Sequence, residues 1–415
     1  MRATHKRAVR ICFFLFALVI KEKSCNFAVY LIRNARKNET SQQVKRILLI
    51  RFSALGDVAM LAPVVREAAE QNKDCEFTVL SKVACGALFE GLAENVRFIG
   101  ADVKGEYKGL SGLLRLFKEL HTQHFDCVVD MHDVLRTKVL RKLFRLHGYE
   151  VHKINKHREL RRLITAEGDK KQLRQLPTAF ENYQSALREC GLNGNVNVNG
   201  NHRFATVNCQ LSSELCSPEH PRSARTVNSP LKIGIAPFAA HQGKIYPLEK
   251  MEEVIDSLSL TLPEREGKID SLDRISPPFG GAGGGLYLFG GGDEELAIMR
   301  RWAEKYDNVR LAADECHGLK EELELMKKLD VMVSMDSANM HLASLVGTRV
   351  VSIWGATHPY AGFLGWGQKM DDCVQRDDLK CRPCSIYGNK PCMRGDMACM
   401  QIDPKKVVER IFAHQ

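Results

Sequence analysis

A chain of 415 residues, 44% hydrophobic and 27% charged, is too long for one comfortable core and has an ordinary globular makeup, so two domains are expected. The net charge of +10 would suggest a nucleic-acid binder if it covered the fold, but ten Lys and Arg lie within residues 1–45 against Glu22 and Glu39 alone. The remainder is near neutral and lacks interleaved basic and aromatic residues, so no nucleic-acid partner is expected. Fourteen cysteines in a chain this long exclude a small disulfide scaffold. Most, such as Cys12, Cys85 and Cys127, stand singly among apolar neighbours, as buried thiols in a reducing compartment do.

Residues 1–44 form a basic and apolar leader that is expected to lie outside the fold. Its apolar run Ile11–Ile20 is far short of the roughly 20 residues that span a bilayer. No small-residue cleavage site follows it. Two readings stay open: contact with an anionic membrane surface, or an over-long start.

From residue 45 to 190 the pattern alternates. "RILLI" is a buried strand, "VAMLAPVVREAAEQ" a helix and "EFTVLSK" the next strand. "NVRFIGAD" and "FDCVVDMHD" are further strands, with "LSGLLRLFKELHTQ" a helix between them. Such alternation predicts a doubly wound parallel sheet, in which ligands bind beyond the carboxyl ends of the strands. Asp57, Asp102, Asp130, His132 and Asp133 all fall at such ends. Residues 191–230, rich in Asn, Ser, Gly and Pro, read as a linker. A second α/β series occupies residues 231–400 and is interrupted by an unpatterned, flexible insertion over 263–285. A final helix over 401–415 closes the chain.

Several motifs carry chemistry. Asp57 follows Gly56 where a strand gives way to a helix, so it is either a helix cap or a carboxylate facing substrate. "FGGAGGG" precedes a strand instead of following one, so it is a linker and no dinucleotide fingerprint. "GGGDEE" is better placed, after a strand and before a helix, and its Glu294 and Glu295 suit either a nucleoside or a helix cap. In "PFAAHQGKIYP", Lys244 could reach a pyrophosphate as a point charge. "MDSANMHLASLVG" sets Asp336 and Ser337 at a strand–helix join, with His341 about one turn on. The helix begun by "HDVLRTKVLRKLFR" carries a basic face whose default reading is a solvated surface, but its start at a strand end makes Arg136 and Lys138 candidates for an anionic acceptor. Cys381, Cys384, Cys392 and Cys399 form a tail cluster open to three readings: structural zinc, buried free thiols or a redox pair.

Together, "RFSALGDVAMLAPVV", "PFAAHQGKIYP", "LFGGGDEE" and "VSMDSANMHLASLVGTRVVSIWGATHP" resemble glycosyltransferase family 9, the ADP-heptose:lipopolysaccharide heptosyltransferases. The resemblance implies a GT-B fold, two Rossmann-like domains facing a cleft, with acceptor on the first and ADP-sugar on the second. It implies an inverting, metal-independent transfer to a lipopolysaccharide core or lipid-linked glycan, at the cytoplasmic face of the inner membrane, with no cofactor. Asp57 matches the family's catalytic base, and Lys244 matches its lysine on the donor phosphates. Glu294 or Glu295 matches the acid near the nucleoside, and Asp336, Ser337, Ala338 and His341 match the donor loop. Ala338 replaces the family's usual glycine. Ser53, His132, Arg136 and Lys138 are expected on the acceptor side. No metal ligand is assigned, and the chain lacks the Asp-x-Asp triplet of many metal-dependent transferases. The alternatives are a sugar-nucleotide epimerase of the same architecture and a non-catalytic glycan-binding relative.

Overall fold

The computed structural model describes residues 44–192, 231–261 and 285–413. The leader up to residue 43, most of the expected linker and all of the expected insertion but Gly285 lie outside the described residues.

The first domain runs β1 (Lys45–Ile50), α1 (Leu55–Gln71), β2 (Cys75–Ser81), β3 (Val96–Gly100), α2 (Gly109–His121), β4 (Cys127–Asp130), α3 (Leu135–Leu146), β5 (Glu150–Lys153), α4 (Arg158–Ile164) and α5 (Ala179–Arg188). Its five strands are all parallel, in the order β3-β2-β1-β4-β5. The uninterrupted apolar run of β1 follows from this position, since a central parallel strand is covered on both faces. Leu48 and Ile50 pack with Leu116 and Phe144 of α2 and α3, whereas Ile47 and Leu49 pack with Val58, Leu61 and Tyr183 of α1 and α5.

The second domain runs β6 (Lys232–Ala236), α6 (Leu248–Thr261), β7 (Gly285–Leu288), α7 (Asp293–Lys305), β8 (Val309–Leu311), α8 (Ala312–Glu315), α9 (Leu319–Lys327), β9 (Val331–Met335), α10 (Ala338–Leu345), β10 (Arg349–Trp354), β11 (Cys373–Gln375) and α11 (Pro404–Phe412). Its six parallel strands lie in the order β11-β10-β9-β6-β7-β8. Arg349 ties the last helix to this sheet. Its guanidinium pairs with Asp372 at 2.6 Å and donates to the Arg410 and Ile411 carbonyls at the end of α11. A cation is favoured at a helix C-terminus, where carbonyls lack partners.

Both sheets reverse strand order beside their first strand, between β1 and β4 and between β6 and β9. Such reversals open a crevice at the carboxyl ends. The two domains share apolar contacts: Phe180 and Tyr183 cluster with Met340, Leu342 and Trp366 of the second domain, and the Phe180 and Trp366 rings meet edge-on at 5.1 Å. Among the described residues no helix is long and apolar enough to cross a membrane.

Candidate active site

At the first crevice, Arg51 ends the apolar run of β1 and is buried. Its guanidinium donates to the Met131 carbonyl, lies over the Tyr183 ring and meets an Asp57 carboxylate oxygen at 2.6 Å. The same oxygen accepts the Ala54 N–H at 3.2 Å, so Asp57 caps α1. Capping does not enclose the group, because its side chain remains 30% exposed. Burial alone would raise the Asp57 carboxyl, but the Arg51 charge and the two hydrogen bonds outweigh it and hold the group below the usual aspartate range. Tyr183 donates its hydroxyl to the Asp57 carbonyl at 3.1 Å and fixes the backbone there.

His132 follows β4 and is buried with its Nε2 3.4 Å from Ser53 Oγ. Burial, then the charges of Arg51 and Lys156, push the imidazole down to about 3, so it is neutral near pH 7. Its Nδ1 has no hydrogen-bond partner among the described residues. Asp130 and Asp133 are held by the scaffold. Asp130 accepts the His132 and Asp133 N–H groups and pairs with Arg141 at 2.8 Å, and Asp133 pairs with Arg158 at 3.0 Å. The basic face read from the sequence is therefore split, with Arg141 committed to these acids and Arg136 and Lys138 half-buried on the first turns of α3.

At the second crevice, Lys244 sits in a short turn after β6. Its ammonium meets Asp336 at the end of β9, Nζ to Oδ2 2.9 Å, with the two side chains only 15% and 4% exposed. Lys244 and Asp336, which lie in separate motifs of the sequence, are thus one ion pair. Gly388 lets the chain close over the lysine stem: it has φ +73°, and a Cβ there would lie 2.6 Å from Lys244 Cγ. Ser337 is the N-cap residue of α10, yet its hydroxyl makes no cap bond and faces Ser334 Oγ at 3.2 Å. Ala338 opens the helix. At the start of α7 Glu294 is exposed, and Glu295 accepts the Gly291 N–H at 2.9 Å, which steadies the glycine turn.

The two crevices meet through α1 and α10. A Cβ on Gly56 would lie 2.5 Å from His341 Cδ2 and 3.3 Å from the Ala338 Cα, so only glycine allows this approach. His341 is buried and feels the charges of Asp336, Asp57 and Lys244 together, while burial, the largest influence, pushes it down to about 4. An acid on one domain and an ion-paired lysine on the other therefore flank one neutral imidazole.

Three partners escaped the sequence reading. Arg51 had a signal, a charge closing a buried strand. Tyr183 and Lys156 had none, because long-range packing brings them in. Across the domains Arg161 donates to Tyr387 Oη at 2.6 Å and covers the Phe363 ring. The four tail cysteines are free thiols, with Cys399 pushed up to about 11 by burial. Their loop forms part of the wall beside Lys244, through N–H bonds from Cys384 and Ser385 to the Ala356 carbonyl and from Gly243 to the Gly388 carbonyl. Cys127, expected as a single buried thiol, is instead bonded to Cys190, because α5 lays its end across β4.

Residues 280–390 match the family described as Glycosyltransferase family 9 (heptosyltransferase). Among curated proteins, none matches the sequence. Similar solved structures include the glycosyl transferase family 9 protein of Veillonella parvula, at 17% identity and TM-score 0.60 over 91% of this chain and 98% of that one. E. coli ADP-heptose lps heptosyltransferase II matches at 16% identity and TM-score 0.54, over 89% and 98% of the two chains. E. coli heptosyltransferase WaaC, solved with ADP, matches at 16% identity and TM-score 0.51, over 78% and 92%. At these identities the likeness speaks for the fold, which is GT-B: two parallel-sheet α/β domains facing a cleft. With the family match across β7 to β11, the chain is a glycosyltransferase, and its second domain carries the glycosyltransferase family 9 (heptosyltransferase) segment.

Proposed function

We propose that the protein transfers heptose, or a related sugar, from an ADP-sugar to a lipopolysaccharide core or lipid-linked glycan, by direct displacement and without a metal ion. The observation that carries the reading is the approach of the two crevices, in which Gly56 against His341 brings Asp57 to the same cleft as the Lys244–Asp336 pair. The relatives solved with ADP and with ADP-2-deoxy-2-fluoro heptose support an ADP-sugar as donor.

A sugar hydroxyl is a poor nucleophile. Asp57 takes its proton as the oxygen attacks the anomeric carbon, and the bond from that carbon to the diphosphate oxygen breaks. Ionised and partly exposed, Asp57 suits this role better than His132 or His341, which are buried. The negative charge gathering on ADP is met by Lys244, held in place by Asp336, and by the backbone amides opening α10 at Ser337 and Ala338. Glu294 or Glu295 takes the nucleoside side, while Ser53, His132, Arg136 and Lys138 line the acceptor side. Reaction at the cytoplasmic face of the inner membrane would suit a lipid-linked acceptor.

Purified protein supplied with ADP-heptose and a lipid-linked core acceptor should release ADP and add one heptose to the acceptor by mass, with undiminished yield in a chelator. Interconversion of a nucleotide-sugar with no acceptor present, and no transfer when one is added, would favour an epimerase and overturn the proposal.

A further inference from the structure

A second cluster lies at the C-terminal end of α5. In the parallel pairing of β4 and β5, Cys127 stands opposite Glu150 and Val129 opposite His152, which puts Cys127, Glu150 and His152 on one face of the sheet edge. Helix α5 ends over that face and delivers Glu189 and Cys190. His152 Nε2 lies 2.7 Å from Glu150 Oε1, and its Nδ1 lies 3.3 Å from Glu189 Oε2. One ligand atom each from Cys127, Glu150, His152 and Cys190 falls within 4.8 Å of all the others. The two sulfurs are bonded to each other here, and a disulfide needs nothing more. An imidazole and a carboxylate converging on the same two sulfurs are the donor set of a tetrahedral thiolate metal site.

We infer that, with its sulfurs reduced, this cluster binds a divalent cation of the zinc class through Cys127, Cys190, His152 and Glu150. Glu189 faces the second ring nitrogen and orients it, as carboxylates do behind metal-bound histidines. Opening the S–S bond takes two electrons from a dithiol or phosphine reductant and two protons from water. Metal binding then releases the two thiol protons. The cysteines are buried, whereas His152 and Glu150 are partly exposed, which gives an ion a route in. Lys45, bonded to the Cys190 carbonyl, offsets part of the anionic charge of the ligands. The ion would pin α5 to the sheet edge, and α5 is the helix whose Tyr183 holds the Asp57 backbone. The site supports the scaffold and takes no part in the transfer.

The test is titration of the reduced full chain with Co2+, the spectroscopic stand-in for zinc, followed by absorption. The tail cysteines could add a signal of their own, so the comparison is with a Cys127→Ser/Cys190→Ser variant and with His152→Ala, which removes a peripheral side chain and keeps both thiols. Wild type should take up one more Co2+ than the double variant and show the stronger thiolate charge-transfer absorption. His152→Ala should bind that ion more weakly by roughly 10–100-fold or more. Equal uptake and identical spectra in wild type and His152→Ala would overturn the inference, whether or not the double variant folds.

Discussion

Asp57→Asn is expected to cut turnover by about a hundred- to ten-thousandfold, the range of a lost general base, while ADP binds as before. Asparagine keeps an oxygen for the Ala54 N–H, so the cap on α1 survives. Arg51 keeps the Met131 carbonyl and the Tyr183 ring, so the buried guanidinium is not stranded. What disappears is the carboxylate proposed to accept the proton. Near-full turnover in this variant would remove Asp57 from the chemistry and leave it a cap. A pH profile adds an independent check. A carboxyl held below the usual aspartate range stays ionised as pH falls, so the acid limb of kcat/KM should lie below that range. Arg51→Met removes the charge that outweighs burial and should move the limb to higher pH.

Lys244→Ala is expected to weaken ADP binding by about 10- to 100-fold, the scale of one charge-assisted hydrogen bond. The single variant also leaves Asp336 buried with no cation, which by itself destabilises the fold and repels phosphate. The two effects separate in Lys244→Ala/Asp336→Asn, where the unpaired charge is gone. Calorimetric ADP titration and a thermal melt of both variants decide the point. The double variant should recover most of the melting temperature but little of the ADP affinity. Recovery of both would mean that the lysine serves only to neutralise Asp336, and unchanged affinity in the single variant would rule out the phosphate contact.

Much of the fold was legible because the central strands are apolar runs separated by helices of clear period, and each motif falls at a strand end. Short or edge strands gave less. β5 reads "EVHK" and β11 reads "CVQ", too brief and too polar to show a pattern, and both are covered on one side only. The candidate site's acids and lysine stand out in the sequence, but their pairing does not. Nothing along the chain says that Lys244 and Asp336 form one ion pair, or that Gly56 touches His341 of the other domain, because the separations are long and set by topology. Asp57 shows how two readings can hold at once. It caps α1, as its position just after Gly56 suggested, and still exposes a carboxylate edge. The Cys127 cluster was missed for the same reason as Tyr183: its members come from three elements that meet only after the sheet forms.

A single displacement at the anomeric carbon, with Asp57 opposite the leaving ADP, fixes the stereochemistry of the product. The most direct measurement is the anomeric configuration of the transferred sugar, read by NMR on the product from an ADP-sugar of known configuration. Inversion is the expected result. Retention would contradict the account, because it requires a second displacement or attack from the face that ADP leaves.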